Sequence, residues 1–146
     1  MNLFGVLTIS GTALLAERQR AEVVASNLAN AETTRTPAGG PYVREHVVFA
    51  AMRPFSLPFG QQLATLADFS ARGVQVAGVI CDPTPPIRRF EPGHPDADAE
   101  GYVSSPAINP IEEEINIMGA ARSYQANISA VLATKNMIAS ALEILA

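Results

Sequence analysis

Every proline of this 146-residue chain, eleven in all, lies between Pro37 and Pro110. Proline removes a backbone donor and breaks helices. The distribution therefore divides the chain into a helical N-terminal segment (1–36), a proline-rich middle (37–110) and a helical C-terminal segment (111–146).

The C-terminal segment has the stronger pattern. Ile117, Ala121, Tyr124, Ile128, Val131, Lys135, Ile138, Leu142 and Leu145 recur at alternating steps of four and three, and only Lys135 is neither apolar nor aromatic. That spacing describes a coiled-coil seam. Pro110 and the acids Glu112 to Glu114 suit a helix N-terminus and its dipole. Leu132, Met137 and Ile144 lie off the seam, so a lone helix pair leaves them wet and a further partner surface is implied. A small bundle core is the alternative that periodicity leaves open.

In the N-terminal segment Leu7, Leu14, Ala21 and Leu28 recur every seven residues, with Leu3, Val24 and Ala31 on a neighbouring row. Gly5, Gly11 and Thr12 weaken the first turns, since a helical glycine costs about 1 kcal/mol. The pattern predicts a helix over 11–31, with the preceding portion ordering on binding.

The middle reads differently. YVREHVVF (42–49) and GVQVAGVI (73–80) are rich in β-branched residues and bounded by glycine or proline, and are predicted as strands. QQLATLADF (61–69) is ambiguous, and DPTPPIRRFEPGHPDADAEG (82–101) reads as loop. Two or three strands need helices to pack on. The expected fold is α+β: long N- and C-terminal helices paired as a coiled coil, with a small β-rich middle domain.

Composition narrows the function. The net charge of −4 is spread as zero, −2 and −2 over the three segments, without the clustered Lys and Arg that phosphate binding needs. The first helix carries equal acid and base, unlike a membrane-surface helix. No apolar run reaches the length of a membrane span. The first residues, MNLFGVLTISGTALLAERQ, lack a basic start before Leu3, and Gly5, Thr8, Ser10, Gly11 and Thr12 interrupt the apolar run. A cleaved signal is not expected.

The stretch most like a reaction or metal centre is EPGHPDADAE, with Glu91, His94, Asp96, Asp98 and Glu100. Counted from Asp96 as a calcium loop, Gly101 falls on position six but Ala107 falls where a glutamate is required. A divalent-metal module or enzyme using residues 91–100 is the alternative function. Cys81, the only cysteine, ends an apolar strand and reads as packing. No nucleophile elbow, P-loop or dinucleotide fingerprint is present.

Several motifs together resemble one family. SNLANAET (26–33) beside the N-terminal helix is similar to the signature of the flagellar axial proteins, the bacterial flagellar basal-body rod proteins among them. TRTPAGGPYVREHVVFAA, DPTPPIRRFEPGHPDADAEGYV, RSYQAN, TKNM and ALEIL continue the likeness nearly end to end. GGPY followed by PGHPDAD resembles the proximal-rod type most closely. Ala107, where the family usually has asparagine, and Glu114, where it often has methionine, are departures.

The resemblance implies a structural rod subunit with no cofactor and no enzymatic activity. It implies export by the flagellar type III apparatus without a cleaved signal, and polymerisation in the periplasm. The implied partners are other rod subunits, the rod-base adaptor and the inner-membrane ring. The subunit-contact residues are then Leu7, Leu14, Asn27, Leu28, Asn30, Tyr124, Ile128, Val131, Ile138, Leu142 and Leu145.

Asparagine is a poor helix-interior residue, so Asn27 and Asn30 need a reason. Antiparallel helices of equal rise place Leu28 near residues 117–120, and the two asparagines opposite Gly119, Arg122 and Ser123. A polar pair there would set register at a cost in stability. The plainer reading is a polar helix end meeting the loop at 33–37.

Overall fold

The computed structural model describes residues 3–52 and 73–145. Helix α1 (Leu3–Ala29) is followed by strands β1 (Glu45–Ala51), β2 (Val74–Cys81), β3 (Ile87–Phe90) and β4 (Tyr102–Ser105), then by helix α2 (Pro110–Leu145). The architecture is α+β. The ambiguous stretch at 61–69 lies outside the described residues.

Two boundaries differ from expectation. Helix α1 begins at Leu3 rather than at residue 11, so glycine's cost at Gly5 and Gly11 is outweighed. Gly5 is buried. The helix stops at Ala29, and the chain leaves it by tighter turns, with Ala31 N donating to Leu28 O at 3.3 Å and Thr33 N to Asn30 O at 3.0 Å; Asn30 Nδ2 also donates to the Ser26 carbonyl at 2.9 Å. Helix α2 starts as its sequence predicts. Asn109 Oδ1 accepts from Ile111 N at 3.1 Å, a side-chain cap ahead of Pro110.

β1 and β2 form one two-stranded sheet, β3 and β4 another. Asp82 N donates to Arg44 O at 2.7 Å and Met52 N to Gly73 O at 2.9 Å, an order that makes the first pair antiparallel. The second pair corrects the loop reading of 82–101. Ile87 faces Ser105, and Phe90 faces Tyr102, in an antiparallel register. Four residues between prolines and a turn carry too little periodicity to be read as a strand. Phe90 and Tyr102 meet edge to face at 5.3 Å, and the Arg88 guanidinium lies 4.9 Å from the Tyr102 ring centroid. Gly101, at φ +83°, closes the turn where a Cβ would press on the Phe90 ring.

The chain forms two compact units. One comprises, in their described residues, Met1–Gln19, Phe49–Ala77 and Ala120–Ala146; the other comprises Arg20–Val48 and Gly78–Gly119. In the first, Thr12 Oγ1 donates to Ile9 O at 2.8 Å and accepts from Val74 N at 3.2 Å. Gly73 is buried there, and a side chain on it would overlap that of Thr12. Ser10, Ala16, Ala120 and Thr134 are its other buried side chains among the described residues. In the second unit Val24, Asn27, Val103 and Glu113 are buried.

Candidate functional site

The most organised polar cluster lies wholly within the second unit, around Asn27, which is 1% exposed. Its Nδ2 donates to the Glu45 carbonyl at 2.8 Å and to Glu113 Oε2 at 3.2 Å. Its Oδ1 accepts from Glu45 N at 3.0 Å and from the Tyr42 hydroxyl at 3.1 Å. Both donors and both lone pairs of the amide are thus satisfied, which lets a polar side chain stay buried on a helix. Glu113, also 1% exposed, receives Arg44 Nε at 3.0 Å and Arg44 Nη2 on Oε1.

The cluster continues outward. Arg44 Nη1 lies 3.8 Å from Asp82 Oδ2, and His46 Nε2 lies 3.0 Å from the same oxygen. Asp82 Oδ1 accepts from the Thr84 hydroxyl at 2.6 Å and from Thr84 N at 2.9 Å. The Thr84 hydroxyl, then His46, hold the Asp82 carboxyl well below the usual carboxylate range. The end of α1, the start of β1, the end of β2 and the first turn of α2 therefore meet through side chains.

The expected partners of the asparagines need correcting. Asn27 meets Glu113 in the first turn of α2, not Gly119, Arg122 or Ser123. Asn30 bonds locally, to Ser26 and to the Thr33 hydroxyl. Glu113 looked like one of three acids complementing a helix dipole. Nothing in the sequence distinguishes it from Glu112 or Glu114 until Arg44 is placed beside it.

The helix surfaces form the second feature. On α2 the four-three rhythm is present, but its most enclosed row is Glu113, Asn116, Ala120, Ser123, Asn127, Ala130 and Thr134. From Asn116 onward each stands one residue before a position of the apolar seam. Of that seam, Ile117, Ile128, Val131 and Ile138 are partly buried, while Ala121, Tyr124, Lys135 and Leu142 are exposed. The Leu145 side chain lies outside the described residues. On α1, Leu7, Leu14 and Leu28 are partly buried, whereas Phe4 and Leu15 are about seven-tenths exposed. The buried helix positions are mostly small or polar, and several large apolar side chains are exposed, the reverse of a self-sufficient core.

The 91–100 loop is built from its own polar groups. Asp98 Oδ1 accepts from Tyr102 N at 2.8 Å and Glu100 N at 2.9 Å, and Oδ2 accepts from Arg88 at 2.7 Å. Those contacts, Tyr102 N–H foremost, lower its pKa. Asp96 accepts from the Thr34 hydroxyl at 2.8 Å, and His94 Nδ1 from Asp96 N at 3.1 Å. The carboxylates hold a turn together, and among the described residues no three His, Cys, Asp or Glu converge as metal ligands. An open cleft of about 390 Å³ beside them is lined by Thr34, Arg35, Pro41, Asp96 and Tyr102, among others. No helix among the described residues is long and apolar enough to cross a membrane.

Comparison with known proteins adds to this geometry. Residues 7–35 match the family described as flagella basal body rod protein. Residues 99–144 match the family described as flagellar basal body rod FlgEFG protein C-terminal. The chain is 37% identical to the flagellar basal-body rod protein FlgC of Borreliella burgdorferi, over 99% of each chain. It is 39% identical to FlgC of Yersinia enterocolitica over 97% of each, and 38% identical to FlgC of Bacillus subtilis over 99% of each.

Proposed function

Since the chain belongs to the FlgC family of flagellar basal-body rod proteins, and is a structural subunit of the rod rather than an enzyme, we propose that its terminal helices pair as a coiled coil whose outer faces carry the contacts to neighbouring subunits. The observation that supports this most is the outward placement of large apolar side chains: Phe4 and Leu15 on α1, and Ile115, Leu132, Leu142 and Ile144 on α2. Burying one such side chain stabilises by about 1.5–3 kcal/mol. Half a dozen together reach the order of 10 kcal/mol, comparable with the cost of immobilising a subunit. Polymerisation then supplies the core that the single chain lacks.

On this reading Tyr124 and Leu142 contact a neighbour directly. Leu7, Leu14, Leu28, Ile128, Val131 and Ile138 line the flanks of the helix pair. Asn27 and Asn30 secure the end of α1. The segments 1–36 and 111–146 form the axial part and 37–110 the outer domain. The rod is assembled in the periplasm after export without a cleaved signal, and the neighbours are other rod subunits, the rod-base adaptor and the inner-membrane ring.

Tyr124→Asp and Leu142→Asp test the reading. In cells lacking the native copy, both variants should be exported yet fail to enter purified rods, while the isolated chains keep wild-type helical circular dichroism. Incorporation at the wild-type level would show that these faces make no subunit contact.

A further inference from the structure

Glu113 is a carboxylate enclosed in protein with one charged partner. Its Oε1 takes two nitrogens of Arg44, with Asn116 Nδ2 at 3.4 Å, and its Oε2 takes the Asn27 amide. An ionised group at 1% exposure is costly unless paired. Arg44 therefore decides whether the first turn of α2 can sit beside the end of α1. Arg44 is itself placed by strand pairing: its carbonyl accepts from Asp82 N at 2.7 Å. The Asp82 carboxylate, fixed by Thr84 and His46, lies 3.8 Å from Nη1.

We propose that Arg44 and Glu113 form a latch: the start of α2 seats against the end of α1 only once β1 and β2 have paired and brought the guanidinium to the carboxylate. Before pairing, Arg44 is on a mobile strand end, and docking α2 buries Glu113 against amides alone. After pairing, the guanidinium fork is presented in place and the carboxylate is neutralised. Asn27 reads the same event through a second contact, since its amide bonds both the N–H and the C=O of Glu45, the residue after Arg44. Strand closure thus gates the helix junction twice, once by charge and once by backbone hydrogen bonds.

The latch is a property of the single chain. It bears on assembly only through the proposed role of the helix faces, and its test does not use assembly. Amide hydrogen exchange on the full-length chain reads protection of residues 112–119, at the start of α2, and of 25–29, at the end of α1. Arg44→Met should speed exchange at both by roughly tenfold or more, leaving the β3–β4 pair unchanged. Arg44→Met combined with Glu113→Gln, which removes the buried charge but keeps an acceptor for Asn27, should return most of the lost protection. Asp82→Ala should loosen both helix ends in the wild-type background and have little effect in that double variant.

Arg44→Lys keeps the charge without the two-nitrogen grip and should fall between wild type and Arg44→Met, which covers the case that Arg44→Met does not fold. Unchanged exchange in Arg44→Met would overturn the latch. So would a double variant no better protected than the single one, or an Asp82→Ala effect of equal size in both backgrounds.

Discussion

Asn27 lies against Glu45 as a neighbouring strand would, its amide nitrogen 2.8 Å from the Glu45 carbonyl and its amide oxygen 3.0 Å from the Glu45 nitrogen. A helix side chain thereby pairs with the backbone of Glu45, while the carbonyl of the preceding residue, Arg44, pairs with Asp82 N. Asn27→Leu strands the Glu45 N–H, leaves the Tyr42 hydroxyl only its 3.4 Å contact with Ser26 Oγ, and leaves Glu113 with fewer donors. Unsatisfied buried groups cost about 1–3 kcal/mol each, so the expected loss is about 2–4 kcal/mol. Asn30→Leu removes only local bonds, to the Ser26 carbonyl and the Thr33 hydroxyl, and should cost about 1 kcal/mol. Urea denaturation of both variants checks the ratio; equal losses would mean that the Glu45 pairing carries no special weight.

Gly73 and Thr12 make a second pair that leaves no slack. Gly73→Ala places a methyl on the Thr12 side chain, and overpacking of this kind costs about 1–3 kcal/mol. Thr12→Ala removes the hydroxyl that a side chain on Gly73 would meet first, at the cost of the acceptor for Val74 N. Combining the two changes should therefore recover part of the loss, a coupling expected of residues in contact. Additive losses in thermal melts would disprove the contact.

Asp82 and Asp98 both have pKa values lowered in the folded chain. A carboxylate depressed by folding adds stability that is fully present above its unfolded value and is lost as pH falls below it. The difference in stability between wild type and Asp82→Ala should therefore shrink below about pH 4. Asp98→Ala should behave the same way. Melting temperatures across pH 2–8 give the comparison, and a difference that grows on acidification would reverse the sign.

The 91–100 turn should be indifferent to divalent cations. Its Asp96 and Asp98 oxygens are engaged by Thr34, Arg88 and backbone N–H groups. Calcium titrated into the chain should give no saturable heat, and chelator should leave the melting temperature unchanged. Saturable binding that vanishes in Asp96→Ala and Asp98→Ala would restore the metal reading.

The two helices, β1 and β2 were legible because residue periodicity is a local property. β3 and β4 were not, since Ile87–Phe90 is made a strand by its partner and by the Asp98 turn rather than by its own pattern. The seam of α2 shows another limit. Apolar residues at four-three spacing located the rhythm, but the chain encloses the adjacent row that includes Ala120, Ser123 and Ala130. Hydrophobicity reports what a face can bury, whereas this single chain encloses only what its own second helix and loops reach. Asn27 was conspicuous in the sequence because asparagine is out of place in a helix. Arg44, Glu113 and Asp82 were not, because each is an ordinary surface type until the fold brings them together.

The Asn27 amide also sets a chemical clock. Hydrolysis to aspartate would exchange the nitrogen that donates to Glu113 for a carboxylate oxygen facing another carboxylate, and like charges in one enclosed site resist ionising together. The Glu45 carbonyl would lose its donor in the same step. One replaced atom would turn the tightest joint of the unit into a repulsive one. Asparagine is among the thermolabile residue types, and the near-complete enclosure of Asn27 keeps bulk water from this one.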